Sequence, residues 1–81
     1  MYYVYIIKSL KDGRHYTGFT NNLELRLQQH HQNKTRSLKY KGPFELILKE
    51  IYPTSQEARK RELQIKKFKG GRAFKELIGT F

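Results

Sequence analysis

The sequence predicts an α/β fold: a three-stranded antiparallel-type sheet flanked by helices, in the order β-β-α-β-α-α, as one domain over residues 1–81. Three observations predict it. Segments 2–9 and 44–52 are runs of β-branched and aromatic residues bounded by turn signals. An Asp-Gly pair, Asp12-Gly13, joins the first run to a further β-like stretch. Two later stretches open with Asn or Thr and carry Glu three residues on, which is how helices start.

Tyr2 to Ser9 reads as the first strand. Leu10-Lys11-Asp12-Gly13 follows as a tight turn, because Gly accepts positive φ without penalty. Arg14 to Thr20 is the second strand and completes a hairpin. Asn21 opens the first helix with Glu24 as its reciprocal partner, and the helix runs to about His31 on a stripe of Leu23 and Leu27. Gln32 to Gly42 is polar, basic and poor in apolar residues, so it reads as a loop that Pro43 ends. Phe44 to Tyr52 is the third strand, and Pro53 stops it. Thr54-Ser55-Gln56-Glu57 caps a long helix that runs to about Lys69, where Gly70-Gly71 relieves the left-handed C-terminus. Arg72 to Ile78 makes a short final helix. Helices covering a face of such a sheet give a small α/β sandwich.

A chain this short buries only roughly 60–65% of its unfolded surface, so few apolar residues can be spared for display. Cysteine is absent, which excludes disulfides and thiolate metal sites and suits a reducing cytoplasm. No run of about 18 apolar residues occurs. Met1-Tyr2-Tyr3-Val4 lacks the basic opening of a secretion signal, and Lys8 cuts the apolar stretch short. The expected location is cytoplasmic and the simplest state a monomer. Lys and Arg number 17 against 7 Asp and Glu, a formal net charge of +10. Such an excess destabilises the compact state by self-repulsion unless a polyanion is the working partner. Nucleic acid is the commonest polyanion and is favoured over an anionic membrane surface.

Several polar residues sit where apolar ones are expected. On the first helix Leu23, Leu27 and His30 lie within a narrow arc, with Arg26 at its edge. Arg26 and His30 are four apart and therefore neighbours on that surface. The plain structural reading is a snorkelling Arg and a satisfied, semi-buried His. On the long helix Ala58, Ile65 and Leu63 define the apolar arc, Phe68 extends it, and Glu62 falls inside it. An inward carboxylate is costly unless a cation pairs with it. That cation is either a nearby Lys or Arg, or a Mg²⁺, which takes one or two carboxylates and keeps water and substrate phosphate as its other ligands. Tyr2, Tyr3, Tyr5 and Tyr16 lie on the hairpin, with Tyr3 and Tyr5 on one face, and their number suggests that some hydroxyls matter.

Taken in order, Tyr3-Val4-Tyr5, Tyr16-Thr17-Gly18, Arg26, His30 and Glu62 resemble the GIY-YIG nuclease superfamily, most closely its small single-domain bacterial members. The likeness runs from Tyr3 to about Lys69. It implies a metal-dependent endonuclease that hydrolyses phosphodiester bonds in nucleic acid, DNA being the expected substrate, with Mg or Mn as cofactor. By the same resemblance the hydroxyls of Tyr5 and Tyr16 line the active site, and one of them orders or deprotonates the attacking water. Gly18 lets the chain pass close to the site, Arg26 contacts the scissile phosphate, and Glu62 is the single carboxylate that holds the metal. His30 stands where members carry a His or Tyr as candidate base. Imidazole titrates near pH ~6.5 and phenol near ~10, which ranks His30 ahead of Tyr5 as base.

The chain departs from the family pattern at Tyr3, which replaces a glycine, and at Phe19, where DNA-repair members carry a lysine. It also has no asparagine after Asn33. These departures support the alternative of a non-catalytic nucleic-acid-binding module on the same scaffold. Lys34, Arg36, Lys39 and Lys41 in the loop, and Lys66, Lys67 and Lys69 with Arg72 and Lys75 near the chain's end, are expected to hold the strand with little sequence discrimination.

Overall fold

A computed structural model of the chain describes residues 1–31 and 42–79, the His31 side chain excepted. Its elements are β1 (Tyr2–Ser9), β2 (His15–Thr20), α1 (Leu23–His31), β3 (Phe44–Tyr52), α2 (Ser55–Lys67) and α3 (Arg72–Ile78). This is the expected α/β order. The strands form one antiparallel sheet in the order β2-β1-β3. Among the described residues, no helix is long and apolar enough to cross a membrane. The expected loop over residues 32–42 lies, apart from Gly42, outside the described residues.

β1 takes the centre because it has no polar face. Its apolar run is continuous, as in strands covered on both sides, and Val4, Ile6 and Ile7 are fully buried. Successive side chains alternate, so β1 seeds two cores. Val4 and Ile6 pack with Ala58, Ile65 and Phe74 from α2 and α3. Tyr5 and Ile7 pack with Phe44 and with Leu23 and Leu27 of α1. The helices therefore cover both faces, α1 on one and α2 with α3 on the other.

The hairpin closes through Ser9, whose buried hydroxyl accepts from the amides of Lys11 and Asp12, both at 3.2 Å. Gly13 sits at φ 75, the left-handed region that this turn requires. β2 starts at His15, one residue later than expected, because the Arg14 carbonyl closes the turn onto the Ser9 amide at 2.8 Å.

The helix ends show where local signals slip. Asn22 caps α1 in place of Asn21: its side-chain oxygen accepts from the Leu25 amide at 3.1 Å. An N-cap reaches the amide three residues ahead, so Asn22 meets Leu25 and leaves Glu24 one position short of the reciprocal role. Thr54 caps α2 as expected, accepting from the Glu57 amide at 3.2 Å. α2 stops at Lys67, two residues early, and Lys69 (φ 50) enters the left-handed region ahead of Gly70 (φ 73). Phe68 packs on the core beside α2, so the chain reverses straight after it.

Leu63 does not join the apolar arc. It is 45% exposed, since five residues turn it about 140° away from Ala58. Leu10, Leu25, Leu46 and Ile51 are exposed as well, so more apolar surface is displayed than the chain's length suggested.

A polar latch ties α2 to the edge strand β3. Arg61 donates from Nε to Glu50 Oε1 at 2.8 Å and from Nη2 to Oε2 at 3.2 Å. Tyr52 donates to the same carboxylate at 2.7 Å. The Arg61 guanidinium holds the Glu50 carboxyl below the usual carboxylate range. This bidentate pair sits one residue before Glu62 and so sets the rotation of the helix that carries it.

Candidate active site

A cleft of about 730 Å³ opens over the edge strand β2, within the usual range for a ligand site. It is lined by Tyr5 of β1, Tyr16 and Gly18 of β2, Arg26 and His30 of α1, and Glu62 and Lys66 of α2. Residues from opposite faces of the sheet meet because β2 is an edge, around which both helix layers reach.

Gly18 makes the crossing possible. It pairs with Tyr5 across the hairpin, and the Tyr5 ring lies over it. A Cβ at residue 18 would stand 2.5 Å from Tyr5 Oη and 2.7 Å from Cζ, distances that real Cβ atoms do not tolerate. The ring so placed brings Tyr5 Oη to 3.0 Å from His30 Nε2, a buried hydrogen bond whose direction the His30 tautomer sets. His30 is only 2% exposed and also packs edge-on against Phe44, centroids 5.9 Å apart.

Burial pushes the Tyr5 phenol above its ordinary value. The nearby Arg26 guanidinium pulls it down, and the Glu62 carboxylate pushes it up again. The phenol therefore senses both the guanidinium and the carboxylate. Arg26 also donates from Nη1 to Gln29 Oε1 at 3.3 Å, which steadies its fork along α1.

Glu62 is buried as its place in the apolar arc implied, at 9% exposure. Lys66, one turn on, stands 3.4 Å from Oε2, and its own side chain is 53% exposed. Among the described residues, no group of three or more His, Cys, Asp and Glu is arranged to hold a metal. One hard carboxylate in a cleft that opens to solvent fits an ion of the Mg²⁺ kind, which takes its remaining ligands from water and phosphate. It does not fit a cage made of protein alone.

Other expected residues fall differently. Tyr16 lines the cleft, but its hydroxyl donates to Asp12 Oδ2 at 3.4 Å in the turn, and its ring meets Phe44 edge-on. Lys66 and Lys69 line the cleft. Lys67, Arg72 and Lys75 are exposed and do not. Lys34, Arg36, Lys39 and Lys41 lie outside the described residues. Arg14, His15 and Phe74 line the cleft without having been singled out from the sequence. Period-two alternation could have placed His15 beside Phe19, yet nothing in the chain marks β2 as the edge over which a site opens.

Compared with known families, residues 1–73 match the GIY-YIG catalytic domain. The chain belongs to the GIY-YIG family. Its GIY-YIG relatives include small bacterial proteins named UPF0213 proteins. One from Clostridium perfringens is 46% identical over 70 residues, covering 83% of this chain and 72% of the relative. Another, from Staphylococcus saprophyticus, is 38% identical over 68 residues, covering 83% and 82%. The solution NMR structure of the UPF0213 protein from Bacillus halodurans aligns with a TM-score of 0.61 at 32% identity, over 98% of this chain and 84% of that one. GIY-YIG is a nuclease superfamily, so the cleft over β2 belongs to a nuclease-like scaffold.

Proposed function

We propose that the cleft hydrolyses phosphodiester bonds in nucleic acid, DNA being the expected substrate, with one divalent ion, Mg or Mn, held by Glu62. The supporting observation is the convergence of Tyr5, Arg26, His30 and Glu62 from β1, α1 and α2 on one opening. When bound, the ion supplies charge neutralisation to the phosphate and the departing oxygen.

The protein's own groups do the rest. Arg26 offers a planar fork to two phosphate oxygens, a geometry lysine does not reproduce. Tyr5 and His30 together form a proton path. The attacking water gives its proton to Tyr5 Oη as the phenolic proton passes to His30 Nε2, 3.0 Å away. Burial raises the phenol, so a free tyrosinate is disfavoured, and the concerted transfer avoids one. His30 then remains the final base, as the ranking from the sequence had it, with Tyr5 as its contact to the water. Gly18 keeps that path open, and the cleft cations hold the strand.

The test is a cleavage panel over plasmid, duplex and single-stranded DNA and RNA, with and without Mg²⁺ or Mn²⁺. Cutting should require the ion and fall at least ~10²-fold in Glu62→Ala and in Arg26→Lys. Metal-dependent cutting that survives Glu62→Ala unchanged would sink this reading. Binding without cleavage on every substrate would leave the non-catalytic alternative in its place.

A further inference from the structure

A second group of cleft residues has no part in that proton path. His15 stands three residues before Gly18 on β2, about 10 Å along the strand at roughly 3.3 Å per residue. Its half-buried ring is held edge-on against Phe74 of α3, centroids 5.4 Å apart. Arg14 precedes it, and Lys69 enters from the turn after α2. Arg14, His15 and Lys69 line the same cleft as Glu62, and Glu62 is the cleft's one carboxylate among the described residues. The end toward α3 therefore carries an excess of positive charge, which Asp12 of the turn, beside Arg14, offsets only in part.

Lys69 holds an unusual backbone. It occupies the left-handed region at φ 50, which costs a non-glycine residue roughly 1 kcal/mol, although Gly70 directly follows. Residues kept in such conformations gather at ligand sites. The left-handed pair Lys69-Gly70 swings α3 back, which lays Phe74 on His15 and leaves the lysine at the rim. Burial, with Lys8 nearby, pushes the His15 imidazole below its ordinary value, so the ring contributes an N–H donor and the flanking Arg14 and Lys69 contribute the charge.

We propose that Arg14, His15 and Lys69 form a second phosphate subsite, which holds the phosphate neighbouring the scissile one on the same strand. It rests on the reading of the cleft as a nucleic-acid site and adds the strand's direction, along β2 from Glu62 toward α3. One nucleotide, its backbone lying over Thr17 and Gly18, spans less than the distance from His15 to Gly18, and the long Arg14 and Lys69 side chains make up the rest.

The test needs no cleavage. Thymidine 3′,5′-bisphosphate and thymidine 5′-monophosphate compete against a fluorescent duplex for the metal-free protein. The bisphosphate should displace it at about tenfold lower concentration, because it fills both positions. That gap should close to within about twofold in Lys69→Gly and His15→Ala, and persist in Lys49→Gln, which removes the same charge from the far edge strand. Lys69→Gly relieves a left-handed residue and so keeps the fold. A gap absent from the unaltered protein, or equally wide in Lys69→Gly, overturns the subsite. Loss of cleavage with the gap intact would defeat the nuclease reading alone, and cleavage without the gap would defeat the subsite alone.

Discussion

At the scale of single residues, Gly18 and Tyr5 form one device. The missing side chain of Gly18 is the space in which the Tyr5 phenol reaches His30. Gly18→Ala should displace the ring, cost about 1–3 kcal/mol by overpacking, and slow any cleavage ~10²-fold. A thermal melt and a single-turnover rate would both register it, and an unchanged rate would remove Gly18 from the site. Tyr5 also predicts an alkaline signature. Its folded value lies above the ordinary phenol range, so the stability gained by keeping it neutral is fully present below pH ~10. That stability is lost as pH rises through the higher folded value. Tyr5→Phe should therefore lose less stability than the parent between pH ~9 and ~11, read by denaturant melts.

At the scale of elements, α2 is placed by its two ends and one latch. Thr54→Ala removes the cap bond to Glu57 and should cost about 1 kcal/mol. The Glu50–Arg61 pair has a contrary pH sense to Tyr5. Glu50 titrates below the ordinary range, so its stability is present above pH ~4.3 and is lost as pH falls through the lower folded value. Both side chains are about a quarter exposed, and solvent screens the pair to about 1 kcal/mol. Glu50→Gln should flatten the acid limb of stability, and an acid limb identical to the parent's would deny the latch its energetic role. α1 and α2 were legible as helices because apolar spacing and capping act within a turn. Their exact ends were not, since the cap of α1 depends on which of two adjacent asparagines faces the Leu25 amide.

At the scale of the molecule, +10 is a large charge for 81 residues. Binding to duplex DNA should weaken steeply with salt, the slope falling by about 0.9 for each contacting cation removed. Lys66 and Lys69 line the cleft and should each reduce it, whereas exposed Lys49 on β3 should not. A double variant at Lys66 and Lys69 with the parent's slope would separate the charge from the cleft. The two-faced core explains why so small a sheet can carry this excess. β1 is covered above and below, which leaves both edge strands and the helix exteriors for charged side chains.

What the sequence alone determined was local and periodic: the strands, the Asp12-Gly13 turn, the Thr54 cap, Glu62 inside an apolar arc and the spaced Tyr, Arg, His and Glu of the family pattern. Such signals need only residues a few positions apart. Tertiary structure decided which polar groups share a cleft. It brought Tyr5 to His30, turned the Tyr16 hydroxyl toward Asp12, and added Arg14 and His15 to the lining. Those outcomes follow from β1 taking the middle of the sheet and β2 its edge, a choice set by burying the most apolar strand on both faces and therefore by the whole chain at once.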